Sequence, residues 1–216
     1  MNFGESLAYW YFRLNGFLPL ANFVLHRPDA PRRHNADSDL LAVRFPHVYE
    51  EIGGKLDDWD NDRFERWGLN HFRSTVCVIA EIKTGQYGAA SINRAFRPRR
   101  VLYALRRLGV VPVDQCEVVC HELGNQSVVH HQDMCFAKVL ISSSMLASGS
   151  FENTNAHLQL ELAEAVEFIR NRMTRYRPEK TAARMFFPGD LIQFLAWEAG
   201  VAVGGDHLRN NEEQQQ

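Results

Sequence analysis

The segment at residues 76–85, VCVIAEIKTG, is the feature that most constrains how this chain can fold. A run of apolar and β-branched residues closed by a Thr-Gly pair is typical of a buried strand that ends at a turn. Because side chains alternate along a strand, Glu81 and Lys83 are expected to project from the same face. Two charges on one face of an apolar strand are costly unless other groups pair with them. A metal ion and a phosphate group would supply such partners.

The composition is that of an ordinary globular domain. The chain has 216 residues, of which 45% are hydrophobic and 23% are charged, which is enough for one domain with a full core. Its 24 Lys and Arg residues against 26 Asp and Glu residues give a formal net charge of −2. Any contact with nucleic acid must therefore come from a local basic patch.

The sequence predicts a cytoplasmic protein without membrane contact. No basic region precedes an apolar run near residue 1, and no segment reaches the roughly 18 consecutive apolar residues of a membrane span. The four cysteines do not suggest a disulfide framework in a chain of this length, so they are expected to be free thiols.

Hydrophobic periodicity predicts one α/β domain of the α+β type over residues 1–204, with a mixed central sheet of four to five strands flanked by helices. The predicted order of elements is α-β-β-β-α-β-β-α-α. The predicted helices are 2–16, 91–108 (which Pro98 divides or begins), 155–176 and 188–198. The predicted strands are 17–26, 39–45, 76–85, 116–123 and 135–142, with loops at 27–38 and 124–132.

Two further segments lie outside this pattern. Residues 46–75 form a polar, aromatic-containing insertion in which 61–71 could be helical, and a long excursion of this kind is often functional. Residues 205–216 have little apolar surface to bury and are predicted to be a disordered tail.

The first predicted helix begins with a recognisable capping pattern. Asn2 can serve as its N-cap, and Gly16 follows its last turn as a stop. Glu5 stands three residues after Asn2, where it can close a capping box and complement the helix dipole.

Asp39 and Glu81 suggest a pair of carboxylates. If the strands at 39–45 and 76–85 are adjacent and antiparallel, Asp39 comes near Glu81. Close carboxylates repel each other unless a cation lies between them, and hard oxygen ligands favour Mg²⁺ or Mn²⁺. Such an ion polarises a phosphate and lowers the pKa of a bound water. Lys83 would then orient that water or neutralise charge on the phosphate in the transition state.

The arrangement of Asp39 with Glu81-Ile82-Lys83 resembles the signature of the PD-(D/E)XK nuclease superfamily, which has the restriction-endonuclease-like fold. The N-terminal GESLAYWYFRLNGF is similar to the G-E-x-x-A-x-x-Y-L-x-x-x-G-Y helix of small bacterial nucleases related to Holliday-junction resolvases, and EIKTG is similar to their E-V-K-T-R segment. The resemblance covers residues 2–85 by motif. It implies a nuclease whose Mg²⁺ ion, with Mn²⁺ as substitute, is bound by Asp39, Glu81 and the Ile82 main-chain carbonyl. It also implies that Glu5 joins this site from the first helix.

The sequence departs from that family in two ways. No proline precedes Asp39, and Asp37 is a competing ligand two residues before it. The insertion at 46–75 also lengthens the spacing from Asp39 to Glu81. These departures concern the substrate more than the chemistry.

Arginines follow the Glu81–Lys83 strand at high density. Those predicted to contact nucleic acid, with DNA favoured over RNA, are Arg94, Arg97, Arg99 and Arg100, and Arg106 and Arg107 follow them. A second set closes the long helix: Arg170, Arg172, Arg175, Arg177 and Lys180. The alternative for both sets is a solvated helix face.

Two other clusters are interpreted as structural. The spacing of the set Cys116, Cys120, His121, His130, His131 and Cys135 is not the usual zinc spacing, and its first two cysteines are expected to be small core residues on one face of a strand. The acids Asp57, Asp58, Asp60 and Asp62 are expected to lie in a solvated loop.

Two alternatives to the nuclease hypothesis stay open. One is a catalytically inactive protein of the same fold that binds nucleic acid or a partner protein. The other is an adaptor that docks a partner through an exposed apolar patch formed by Trp59, Phe64, Trp67 and Phe72. The sequence is also compatible with a homodimer.

Overall fold

A computed structural model describes residues 2–25, 36–144 and 157–176, together with positions 194, 195 and 198. In this part of the chain, helices flank a mixed central sheet of six strands, one more than the predicted upper number. The helices are α1 (Phe3–Leu14), α2 (Asn61–Arg66), α3 (Ala89–Ala95), α4 (Pro98–Leu108), α5 (Cys116–Asn125) and α6 (Leu162–Arg175). The strands are β1 (Leu18–Leu25), β2 (Ala36–Arg44), β3 (Thr75–Lys83), β4 (Val128–His131), β5 (Met134–Ser142) and β6 (Leu158–Glu161).

The sheet has the order β1-β2-β3-β5-β4, and β6 also pairs with β5. The first three strands are antiparallel to one another, whereas β3 and β5 are parallel. On the far side of β5, β4 pairs with its first half and β6 with its second half. The parallel strands β3, β5 and β6 therefore end at the same edge of the sheet.

Helix α1 lies across one face of the sheet and reaches this edge with its first turn. Its N-cap is Asn2, as predicted, and Gly16 follows its C-terminus with a φ of 78°. A Cβ atom added to Gly4 would lie 2.2 Å from the Thr84 Cγ2 atom. The glycine therefore allows the start of the helix to touch the chain just beyond β3.

Alternation along the central strands divides the core into two layers. Leu40, Val78 and Ile82 belong to the layer that α1 and α6 cover, whereas Leu41 and Ile79 belong to the layer beneath α4 and α5. Burying each such side chain contributes about 1.5–3 kcal/mol. By the same alternation, Glu81 points toward the α4 layer rather than the α1 layer.

The helix predicted at 91–108 is two helices. As one of the two predicted possibilities had it, Pro98 is the first residue of α4, where its missing N–H costs nothing. Gly109, with a φ of 66°, ends α4.

The predicted strand at 116–123 is wrong, because this segment is helix α5. Cys116, Val119, Cys120 and Leu123 are all buried, and their spacing is that of one helical stripe. The predicted loop at 124–132 likewise contains strand β4.

Two predicted boundaries also need correction. Strand β2 begins at Ala36, so the end of the predicted loop at 27–38 is strand. The predicted helix at 155–176 begins instead with strand β6, and α6 starts at Leu162 after the N-cap residue Glu161. The apolar residues Leu158 and Leu160 alternate with polar ones in β6, which is a strand pattern too short to stand out beside the helix.

The insertion at 46–75 is partly buried against the rest of the domain, although Tyr49 and Leu56 are exposed. It contains α2, in the region predicted to be helical, and a single 3₁₀ turn at Leu56–Asp58. Phe64 and Trp59 are buried and Trp67 is half-buried, whereas Phe72 is exposed. The four side chains therefore do not form the common exposed patch that the adaptor hypothesis requires.

Asp58 and Asp60 are not solvated loop residues, contrary to the prediction. Asp58 is buried and accepts a hydrogen bond from the Tyr176 hydroxyl at 2.5 Å. Asp60 accepts one from Tyr11 at 2.6 Å and pairs with Arg63 at 2.8 Å. Both acids therefore fasten the insertion to the helices.

The predicted tail at 205–216 and most of the predicted helix at 188–198 lie outside the described residues. Positions 194, 195 and 198 are helical. Among the described residues, none of the helices has the length and apolar character needed to cross a membrane.

Candidate active site

The structure brings Asp39 and Glu81 together on neighbouring strands. In the antiparallel pairing of β2 with β3, Leu40 is opposite Ala80, so Asp39 and Glu81 are the next opposite pair. Side chains directly opposite each other in such a pair lie on the same face, with Cβ atoms about 4.5–5.5 Å apart. The Asp39 Oδ2 atom accepts a hydrogen bond of 2.8 Å from the Ile82 N–H. This bond fixes one oxygen of Asp39 beside the Glu81 main chain.

Asp39 is held in surroundings that disfavour its charge. Burial and, to a smaller extent, the charge of Glu81 raise the pKa of the Asp39 carboxyl from 3.8 to about 6. The Ile82 N–H and the Lys83 ammonium act in the opposite direction but are outweighed. Two carboxylates that face each other with little solvent repel each other, and a divalent cation between them would remove this repulsion.

Glu81 is buried, and a cation lies near each of its carboxylate oxygens. Lys83 Nζ is 2.5 Å from Oε1, and the Arg100 guanidinium is 3.5 Å from Oε2. The contact with Lys83 agrees with the expected placement of both side chains on one face of β3. A small cavity lies beside this cluster, lined by Ser38, Ile79, Ala80, Glu81, Ala95, Phe96, Arg100 and Ala104.

Glu5 lies near this cluster but is engaged by the helix cap. Its Oε2 accepts a hydrogen bond from the Asn2 main-chain N–H at 3.0 Å, and its Oε1 accepts one from the Asn2 side-chain amide at 2.7 Å. The Asn2 Oδ1 atom in turn accepts from the Glu5 N–H. This is the capping box that the sequence allowed. Glu5 is still close enough to help raise the pKa of Asp39.

The Ile82 main chain also faces this cluster. The N–H and C=O of one strand residue point to the same side of the strand. Because the Ile82 N–H is directed at Asp39, its carbonyl oxygen points toward β2 as well. The family resemblance implies that this carbonyl binds the metal, and the direction of the Ile82 carbonyl is compatible with that role.

The donor atoms suit a magnesium ion, although the geometry is not a closed cage. No group of three or more His, Cys, Asp or Glu residues with metal-binding geometry occurs in the described ranges. Mg²⁺ usually takes only one or two carboxylates and keeps several waters. The two opposed carboxylates and the directed Ile82 carbonyl therefore fit it in type and number.

The arginines predicted to contact nucleic acid occupy different environments. Arg100 reaches the site, Arg97 is the half-buried N-cap residue of α4, and Arg94 and Arg99 are exposed. Arg99 lies against the Tyr103 ring. The Arg100 guanidinium lies 3.5 Å from the Glu81 carboxylate, which places Arg100 at the paired acids.

The second arginine set is mainly structural in the described part of the chain. Arg172 is buried and donates to the main-chain carbonyls of Leu14 and Gly53. Arg175 pairs with Asp58 at 3.2 Å and Arg170 with Glu198 at 2.6 Å. Residues 177 and 180 lie outside the described ranges.

The Cys and His cluster considered for zinc is dispersed. All four cysteines are free and buried, and burial raises the pKa of the Cys116, Cys120 and Cys135 thiols. His131 contacts the Gln115 side chain at 3.1 Å. The cysteines are core residues, and no group of three potential metal ligands occurs among the described residues.

Sequence reasoning missed two polar residues that share the face of Glu81. Gln159 pairs with Leu140 and Glu161 with Ser142, while β5 in turn pairs Leu140 with Glu81 and Ser142 with Lys83. Paired residues of neighbouring strands point to the same side of a sheet. The alternation of polar and apolar residues at 157–161 was the signal that could have found them. Asp37, the competing acid, lies in β2, and its side chain is outside the description.

Comparison with known proteins gives no family for this chain. No protein-family model matches it, and searches of curated proteins and of solved structures found no match.

Proposed function

We propose that this protein is a metal-dependent nuclease that hydrolyses phosphodiester bonds, with DNA favoured over RNA as substrate. The observation that carries the proposal is the pairing of Asp39 with Glu81 across two antiparallel strands, with Lys83 on the same face. Asp39 is far from Glu81 and Lys83 in the sequence, but all three side chains come together at one end of the sheet. If the Glu-x-Lys sequence had arisen by chance, an acid would not be expected opposite its glutamate on the neighbouring strand.

The chemistry assigned to each residue follows from its position. Asp39, Glu81 and the Ile82 carbonyl would hold Mg²⁺, or Mn²⁺ in its place. A bound divalent cation supplies Lewis acidity toward the phosphate and lowers the pKa of a water ligand. Lys83, which is partly exposed, positions the attacking water or stabilises negative charge on the phosphate. Glu5 contributes negative potential from the start of α1.

The proposal includes a restriction-endonuclease-like core. Its support is the order of the main elements: α1, the antiparallel strands β1, β2 and β3 (with α2 before β3), a crossover through α3, α4, α5 and β4, and then β5, which is parallel to β3. The first turn of α1 also meets the chain just beyond β3, where the resemblance expects the helix glutamate. Exposed Arg94 and Arg99 would add salt-dependent contacts to the phosphate backbone.

A cleavage assay tests this function. The purified protein is incubated with plasmid, linear, single-stranded and branched DNA, and with RNA, in Mg²⁺, Mn²⁺ or EDTA. We expect cleavage in either metal and none in EDTA. Asp39→Asn and Lys83→Ala should each lower the rate by at least about a hundredfold, while the exposed controls Asp114→Asn and Lys55→Ala should retain it.

The second candidate is an inactive protein of this fold that binds nucleic acid. The observation that favours it is that Glu81 is already paired with cations and Glu5 with Asn2. It predicts DNA binding that falls with salt and no cleavage of any substrate in Mg²⁺ or Mn²⁺.

A further inference from the structure

The charged group of Arg100, in α4, lies against the paired acids of the candidate site. Its guanidinium is 3.5 Å from Glu81 Oε2, and its side chain is 15% exposed. The adjacent Arg99 is exposed and contacts the Tyr103 ring on its own helix. Arg100 is therefore part of the candidate active site rather than of a peripheral basic surface.

The contact between Arg100 and Glu81 is the looser of the two that Glu81 makes. A charge-assisted N–H···O bond is normally about 2.7–2.9 Å long, and Lys83 holds Oε1 at 2.5 Å. The Arg100 contact is 3.5 Å, although the Glu81 side chain is only 8% exposed. Arg100 is therefore held to Glu81 less closely than Lys83 is.

Charge balance gives the direction of the exchange. Without a divalent ion, the two acids Asp39 and Glu81 are matched by Lys83 and Arg100, so the formal charges sum to zero. A divalent cation at the acids adds two positive charges and repels the guanidinium. A phosphodiester brought to the same place carries a negative charge, and the planar guanidinium has paired N–H donors suited to phosphate oxygens.

We propose that Arg100 exchanges partners: it neutralises Glu81 while no divalent cation is bound, and binds a non-bridging oxygen of the scissile phosphate once the cation is in place. The inference rests on the proposed nuclease function. It adds to that function a specific phosphate-binding residue and a competition between Arg100 and the metal for Glu81.

The test measures metal affinity and turnover separately in Arg100→Ala and in the control Arg73→Ala, an exposed arginine outside the candidate site. Mn²⁺ is titrated by calorimetry into each protein without DNA, and cleavage kinetics are then measured on the best DNA substrate. Arg100→Ala should bind Mn²⁺ about fivefold more tightly, because it removes a competing cation. Its kcat should fall about a hundredfold, because the phosphate loses a ligand in the transition state. Arg73→Ala should change neither value by more than about twofold.

Circular dichroism confirms that the variants fold, and Arg100→Gln serves as a second variant that keeps side-chain volume without charge. An unchanged or weaker affinity for Mn²⁺ in both Arg100 variants overturns the competition. A raised KM with unchanged kcat overturns the phosphate role, because it would make Arg100 a backbone contact. If the wild type does not cleave DNA, the proposed function fails, while tighter Mn²⁺ binding by Arg100→Ala still supports the pairing with Glu81.

Discussion

The candidate active site and the insertion each contain a poorly solvated acid, and their surroundings shift the pKa values of these acids in opposite directions. At the site, burial and Glu81 raise the pKa of Asp39 to about 6. In the insertion, burial alone would raise the pKa of Asp58, but the Tyr176 hydroxyl, a main-chain N–H and two arginines bring it below its ordinary value. In the candidate site, two carboxylates face each other. In the insertion, Asp58 instead faces hydrogen-bond donors and arginines.

The difference shows what each region contributes. The insertion is bound to the helices by complementary groups: Arg63 pairs with Asp60 at 2.8 Å and with Glu164 of α6 at 2.9 Å. Such pairs stabilise the fold only while both partners remain. The site lacks that complementarity between its two acids, which is expected where stability is given up for binding. The following predictions test this contrast.

The largest effect is expected from Arg63→Ala. The substitution leaves Asp60 and Glu164 without their arginine and should lower the free energy of unfolding by about 2–4 kcal/mol. Urea denaturation measures it, with the exposed Arg66→Ala of the same helix as control, expected within about 0.5 kcal/mol of wild type. An equal effect of both substitutions would contradict a structural role specific to Arg63.

The opposite sign is expected from Asp39→Asn in metal-free buffer. Because the folded protein binds the Asp39 proton more tightly than the unfolded chain does, this group lowers stability as the pH rises from about 4 to about 6. Removing the charge should therefore stabilise the protein at pH 7 by about 1–3 kcal/mol. The same denaturation experiment with exposed Asp114→Asn should show no such gain. A destabilised Asp39→Asn would show that the Ile82 hydrogen bond outweighs the repulsion.

A smaller effect is expected from His71, a buried histidine of the insertion. Burial and the nearby charge of Arg44 lower the pKa of His71 from 6.5 to about 4. The unfolded chain then binds more protons between these values, so this group reduces stability as the pH falls from about 6.5 to 4. His71→Gln, which can keep a contact with Asn61, should flatten that part of the stability profile by about 1–2 kcal/mol. The exposed His47→Gln is the control substitution for this measurement.

Features set by local sequence were predictable. The capping box of Asn2 and Glu5, the start of α4 at Pro98 and the shared face of Glu81 and Lys83 each depend on residues a few positions apart. Asp39 could be placed beside Glu81 because adjacent antiparallel strands were the simplest way to connect two apolar segments. The mixed sheet flanked by helices followed from the order of such segments.

Other features depend on distant contacts or on ambiguous periodicity. Apolar residues at 116, 119, 120 and 123 suit one face of a helix, but the short β-branched run between them also suggested a strand. The pairing of Arg63 with Glu164 spans 101 positions, and no local pattern encodes it. The placement of Arg100 against Glu81 likewise depends on how α4 crosses the sheet, which the spacing of arginines does not determine.

The central claim is that Asp39 and Glu81 together bind a divalent cation. Calorimetric titration of Mn²⁺ at pH 7 into the wild type, Asp39→Asn and Glu81→Gln tests it most directly. We expect saturable binding to the wild type and a loss of at least about tenfold in affinity in each variant. Equal heats of binding in all three proteins, or none in the wild type, would contradict it.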